Sequence, residues 1–443
     1  MTDIIISFDT ENFTSNKAAD AILAEAEILH TEGIRGCFCM VGLLAKQLEA
    51  WGREDVLRAL ANHEVDYHSY GHSLHPMINE YTDIEDFYMA REEFLRQEKK
   101  GIEYVKKVTG VDKIYAAVPP GNQKSYVAMY GYAELGIPIY ADTFCDTSDG
   151  GGTYYCNSFH MDYSWCMESV LFEGGEKEIK NVLDVLAVKK RAIVYTHPHV
   201  ALMAESWDIL NYDKENLCEF GKWKESKRRE SGETEKFYEN LRLLCKLIKS
   251  DDRFRITTYS EVANEVAKEG ERIVKKIDVP YLREQLQRCF FPVTKPCSLS
   301  LSDMMLACRQ MLFGEEEYKC GVVYGFLDKP FGIKEKIILR AEDIRASAMQ
   351  IVPEEFLPTT IKAGAYIIGP GDWLRGALAV LSGAEVVELI PGSQLPDLDI
   401  LPKVRDCSFK GTWRHSDLFE DNYLSERLRL QSWTMRFLAD IDY

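Results

Sequence analysis

The sequence predicts an α/β protein: a parallel sheet or barrel of β/α units, followed by a mostly helical C-terminal part. Three observations carry that reading. Short β-rich runs alternate with helical stretches of roughly 10 to 20 residues over the first part of the chain. Polar fragments fall just after those runs, at the strand ends where β/α barrels keep their chemistry. The texture then changes near Ile277.

Residues 4–8 form the first β-rich run. Residues 17–30 then place Ala18, Ala21, Ile22, Ala26 and Leu29 at helical spacing, and residues 36–41 read as a second strand. A helix over 44–60 leads to a strand over 63–68, and one over 88–109 leads to 113–118. The helix over 126–136 leads to 137–142, and that over 179–187 leads to 191–196. Residues 214–236 are dense in charge and poor in large aliphatics, so they read as a solvated excursion before a helix over 237–248. A strand beginning at Phe254 and an N-capped helix running to about Gly270 close a first domain, residues 1–270.

Residues 271–443 form the second domain. Residues 302–312 and 371–381 align without gaps, with Asp303 on Asp372, Met305 on Leu374 and Leu312 on Leu381. Both read as helices entered through an acidic first turn, a degenerate internal repeat. The tail, residues 409–443, is aromatic and charged, with Trp413, Arg414, His415 and Trp433. It is expected to pack across the barrel or against a second subunit in a homo-oligomer.

The 443 residues suffice for two or three domains, and 46% hydrophobic with 28% charged residues is ordinary globular composition. A formal net charge of −18 argues against nucleic acid as a partner, because phosphate backbones require clustered Lys and Arg. The N-terminus has no basic segment followed by an apolar run, and no stretch approaches the roughly 18 apolar residues of a membrane span. A cytoplasmic protein is expected. Its twelve cysteines are scattered and read as small buried hydrophobes.

Three fragments carry chemistry. In His68-Ser-Tyr-Gly-His72, imidazoles four apart would project from one side of a helical turn, with Cβ atoms roughly 5–6 Å apart, close enough to share a metal ion. Ser7-Phe-Asp9-Thr-Glu11 places two acids at i and i+2, on one face of a strand and its extension. Tyr195-Thr-His197-Pro-His199 follows a later strand. Two histidines and one acid leave an open coordination position, the arrangement of hydrolytic metal centres.

These fragments, with His63-Glu64 five residues before His68 and with Pro119-Pro-Gly121-Asn122, resemble the NodB-like polysaccharide deacetylases of carbohydrate esterase family four over residues 1 to about 270. The resemblance implies a distorted (β/α)7 barrel and a divalent metal held by one carboxylate and two histidines. It matches His68 and His72 to the metal histidines and Asp9 to the catalytic base. Glu11 matches the metal carboxylate of members written D-x-E, His197 the general acid, and Gly121 the residue whose N–H receives the oxyanion. Asn122, His75 and His199 flank that region as substrate-facing candidates. The family's arginine that orients the base falls on Val118, and its D-W motif has only Asp142 or Asp146 as candidates. Residues 356–374 show a fainter resemblance to pseudomurein-binding repeats.

The expected activity is metal-dependent removal of an N-acetyl group from a sugar or glycan precursor. Zinc is the first candidate ion, with cobalt, nickel and iron also suited to such ligands. Two alternatives stand beside it: hydrolysis of a small linear or cyclic amide, as in allantoinases of the same superfamily, and a catalytically inactive carbohydrate-binding or scaffold protein.

Overall fold

A computed structural model describes residues 1–142, 150–214, 216–270, 272–275, 277–408, 415 and 419–438. They divide into two compact units. The first comprises Met1–Gly151, His160–Glu265 and Phe409–Asn422, and the second Gly152–Phe159, Val266–Ser408 and Tyr423–Tyr443. Neither unit is a single stretch of chain. Among the described residues, no helix is long and apolar enough to cross a membrane.

In chain order the strands that matter to the site are β1 (Thr2–Thr10), β2 (Cys37–Met40), β3 (Glu64–Tyr67), β4 (Ala116–Ala117), β5 (Ile139–Ala141), β6 (Thr153–Tyr155), β7 (Ser158–Met161), β8 (Trp165–Cys166) and β9 (Arg191–Thr196). In the first unit, hydrogen-bonded neighbours run β5-β4-β3-β2-β1-β9-β8, every pair parallel. Started from β8, that path follows the chain order cyclically. This is the topology of a seven-stranded β/α barrel left open at the seam between β5 and β8. The strand at Phe254–Ile256 lies beside the first half of β1, outside the ring of seven.

The reasons are local. Ile4, Ile5, Ile6 and Phe8 are all buried, as required of a parallel strand covered on both faces. The helix over 44–60 is two helices, Gly42–Ala50 and Glu54–Leu60, because Gly52 turns into left-handed backbone (φ +67) between them. The helix Phe87–Thr109 starts from an Asp86 cap and stops at left-handed Gly110. Its Gly101 lies against Gly42: a Cβ added at Gly42 would lie 2.4 Å from Gly101 Cα, and one at Gly101 would meet the Tyr67 hydroxyl. Glycine at both positions lets two helices close over β3, one residue before His68.

Among the described residues of the second unit, six α-helices from Val279–Arg288 to Leu424–Leu430 are accompanied by three two-stranded antiparallel sheets, which the sequence reading did not contain. Two of these sheets close similar blocks. The first runs strand Ile273–Val274, helix Val279–Arg288, an antiparallel bridge Val293–Leu299, helix Leu301–Leu312 and strand Tyr318–Lys319, its end strands paired. The second runs strand Ile337–Arg340, helix Ala341–Ser347, hairpin Ile361–Ala363 with Tyr366–Ile368, helix Pro370–Leu381 and strand Val386–Leu389, its end strands likewise paired. Asp303 and Asp372 occupy the third position of the corresponding helices, and each side chain turns back to accept an N–H at its own N-terminus.

Candidate metal centre

Asp9 near the end of β1 and Glu11 just beyond it are both buried, 4% and 6% exposed. Together with His68, His72 and His197 they line one cleft of about 170 Å³ at the C-terminal ends of the strands. Val118, Pro119, Gly121, Tyr163 and Tyr195 form other parts of its wall.

The segment from His68 to His72 is not a helical turn. It is a loop leaving β3, in which Ser69 (φ +68) and His72 (φ +53) take left-handed backbone. Such conformations are costly for residues with a Cβ and persist where surrounding contacts enforce them. Here Ser69 Oγ accepts the His72 N–H, while the Ser69 and Tyr70 carbonyls accept the N–H groups of Gly42 and Leu43. The loop still brings the two imidazoles together, ring centroids 5.1 Å apart.

Each histidine has its Nδ1 engaged from behind. His68 Nδ1 meets the Val118 carbonyl at 2.8 Å, and His72 Nδ1 meets Ser73 Oγ at 2.8 Å, which in turn faces Asp208. Both Nε2 atoms therefore face forward, toward Glu11 Oε2, at 3.5 Å from His68 and 2.7 Å from His72. The other Glu11 oxygen accepts from Trp207 Nε1 at 2.9 Å. Burial alone would raise the Glu11 carboxyl, but His72, His197 and His68 outweigh it and hold it well below the usual carboxylate range.

Among the described residues, His68 Nε2 is buried without a hydrogen-bond partner. Two imidazole nitrogens and a carboxylate oxygen converge within 4.8 Å of one another, with outer contacts fixing both rings. The donor set therefore fits a divalent ion, Glu11 supplying the carboxylate.

Asp9 stands to one side of this cluster. Its Oδ1 accepts from the Tyr163 hydroxyl at 2.5 Å, and its Oδ2 lies 3.6 Å from His197 Nε2. His197 Nδ1 is held by Glu168 at 2.5 Å, so its Nε2 points into the cleft, also 4.0 Å from Glu11. Burial would lower the His197 pKa, but Glu11, Glu168 and Asp9 together push it well above the ordinary histidine value.

Gly121 lines the cleft with φ +51, a left-handed position suited to glycine. The side chain of Asn122 and all of Asp146 lie outside the described residues. His75 does not line this cleft: its Nδ1 is bonded to Glu80 and its Nε2 faces the Tyr212 carbonyl, on a neighbouring cavity. His199 stands behind Glu11, its Nδ1 3.8 Å from Oε1, and burial lowers its pKa. Asp142 is a cleft residue, but it pairs with buried His160 at 3.9 Å rather than with His197.

The acid that holds His197 is Glu168, which the sequence reading missed along with Tyr163 and Trp207. Glu168 could have been found as the acid two residues past Cys166 at the end of β8, but that two-residue strand escaped notice. Tyr163 and Trp207 carry no such signal.

No protein-family model matches the sequence, and no curated protein matches it significantly. Solved structures do. The chain is similar to 4-alpha-glucanotransferase from Thermococcus litoralis (12% identity, 71% of this chain and 52% of that one, TM-score 0.43). It is also similar to family 4 carbohydrate esterases from Bacillus anthracis (14% identity, 59% and 83%, TM-score 0.33) and from Streptomyces lividans, the latter in complex with acetate (10% identity, 58% and 92%, TM-score 0.32).

Proposed function

We propose that this protein is a metal-dependent amide hydrolase that removes an N-acetyl group from a sugar or glycan precursor, with zinc as the first candidate ion. One observation carries the reading. Glu11 Oε2 faces the Nε2 atoms of both His68 and His72, whose Nδ1 atoms are already engaged, while Asp9 and His197 Nε2 flank the same point. A divalent ion held by Glu11, His68 and His72 would supply a Lewis acid that activates water and polarises the acyl oxygen.

The protein's own groups divide the remaining work. Asp9 accepts the proton of the attacking water. His197, oriented by Glu168, gives a proton to the departing nitrogen, without which an amine leaves poorly. Pro119 and Gly121 line the same cleft, as do the aromatic side chains of Tyr163 and Tyr195.

The test uses purified full-length protein. It is expected to hold one zinc or cobalt ion per chain, to lose it in His72→Ala, and to release amine from N-acetylglucosamine oligomers or nucleotide-linked N-acetyl sugars. A wild type that binds no divalent ion would sink the reading. Metal binding with turnover only of small cyclic amides would select the allantoinase-like alternative.

A further inference from the structure

We infer that Tyr163 is a positioning residue for the base, and that a buried hydroxyl relay, Tyr259 to Ser7 to Tyr163, holds Asp9 where a charged side chain is absent at position 118. The inference rests on the reading of Asp9 as base. Val118 lines the cleft, yet its side chain has no charge to offer a carboxylate. Tyr163 does the holding instead, its hydroxyl 2.5 Å from Asp9 Oδ1.

The direction of the link to Asp9 follows from valence, and that of the others from the distances. A carboxylate only accepts, so the Tyr163 hydrogen is committed to Asp9. The Tyr163 oxygen can then only accept, and Ser7 Oγ is 3.0 Å away. The Ser7 hydroxyl also has Cys39 Sγ at 3.5 Å, but the Tyr163 oxygen is the nearer and stronger acceptor, and Ser7 Oγ in turn accepts from the Tyr259 hydroxyl at 3.2 Å. Ser7 and Tyr259 are fully buried, and hydrogen bonds aligned head to tail in a low dielectric strengthen one another. Burial and the neighbouring Asp9 raise the Tyr163 phenol well above its ordinary pKa, so it stays a neutral donor. The Tyr163 ring packs on Tyr195 with centroids 4.1 Å apart, which fixes where the hydroxyl points. A neutral clamp orients Asp9 without cancelling its negative charge.

Tyr163→Phe keeps the ring and removes only the hydroxyl. Its kcat should fall roughly 100-fold with KM changed by less than about twofold, the signature of a misplaced reacting group. Metal content should be unchanged, because Asp9 is outside the Glu11, His68 and His72 set. Val118→Arg added to Tyr163→Phe should recover part of the loss. A readout independent of turnover is the ring-carbon NMR resonance of Tyr163, assigned by its disappearance in Tyr163→Phe and expected to move in both Asp9→Asn and Ser7→Ala.

Wild-type kcat in Tyr163→Phe, or a resonance indifferent to Asp9→Asn, would overturn the relay. If the wild type turns over no amide at all, the reading of Asp9 as base falls with its positioning role. The hydrogen-bonded relay is then judged by the resonance alone.

Discussion

At the scale of single residues, the histidines of the site have Nδ1 engaged from behind and Nε2 turned toward the cleft. Glu168 is the clearest case. Its carboxylate accepts from His197 Nδ1 at 2.5 Å and is held below the ordinary carboxylate range: burial opposes this, but the bond to His197 outweighs it. It therefore orients the ring, turns Nε2 into the cleft and favours the protonated imidazole. Glu168→Gln removes the negative charge that favours the protonated ring. We expect kcat to drop by about 10² to 10⁴, the range contributed by a positioned general acid, with KM and metal content nearly unchanged. Steady-state kinetics on the substrate that the wild type accepts checks this, and a loss confined to KM would contradict the orienting role. The sequence made legible what one strand or one short loop carries: Asp9 and Glu11 two apart, His68 and His72 four apart. It did not reveal Glu168, Trp207 or Tyr163, because each comes from a separate segment and meets its partner only across the barrel.

At the scale of elements, the sequence was read well where a buried strand gave a continuous aliphatic run, as at Ile4 to Ile6, and where a helix was long and capped, as from Asp86 to Gly110. It was misread where spacing had two meanings. Imidazoles four apart suit a helix, but Ser69 and His72 place theirs by left-handed backbone instead. The helix Ala19–Thr31 poses a further problem. Its buried face is apolar except for Glu25, which has no exposure and, among the described residues, no hydrogen-bond partner on either oxygen. Burial first, and then the nearby Glu168 charge, raise its pKa well above the ordinary value, so the folded protein keeps it neutral. A raised folded pKa gives a stability contribution that is full below the unfolded carboxylate pKa of about 4.3 and is lost as pH rises toward the folded value. Glu25→Gln removes this dependence. The variant should match the wild type near pH 4 and then gain on it by up to about 1.4 kcal/mol per pH unit within that window. Denaturant unfolding at pH 5 and pH 8 measures the difference, and a gap independent of pH would refute a neutral buried Glu25.

At the scale of the whole molecule, the chain passes from the first unit into the second three times, so a sequence boundary cannot separate the two. The short segment Gly152–Phe159 belongs to the second unit although it interrupts the first. Within that unit, β6 pairs antiparallel with Arg436–Phe437, the Cys156 N–H is accepted by Thr434 Oγ1, and Asn157 accepts from the Val323 N–H. All of these partners lie beyond residue 265. A chain ended after Glu265 would retain the β/α barrel and every candidate ligand, yet it would leave Tyr155 and Phe159 uncovered, both without exposure in the full protein. Each such side chain forfeits roughly 1.5–3 kcal/mol of burial, and the open edge of β6 becomes a template for pairing between chains. We therefore expect the shortened chain to bind a hydrophobic dye and to elute as aggregates, while the full chain at equal concentration does neither. Replacing Tyr155 and Phe159 by serine in the shortened chain should restore much of its solubility. Size-exclusion chromatography with light scattering decides it: a monodisperse chain of residues 1–265 melting like the full protein would mean that the segment needs no partner from the second unit.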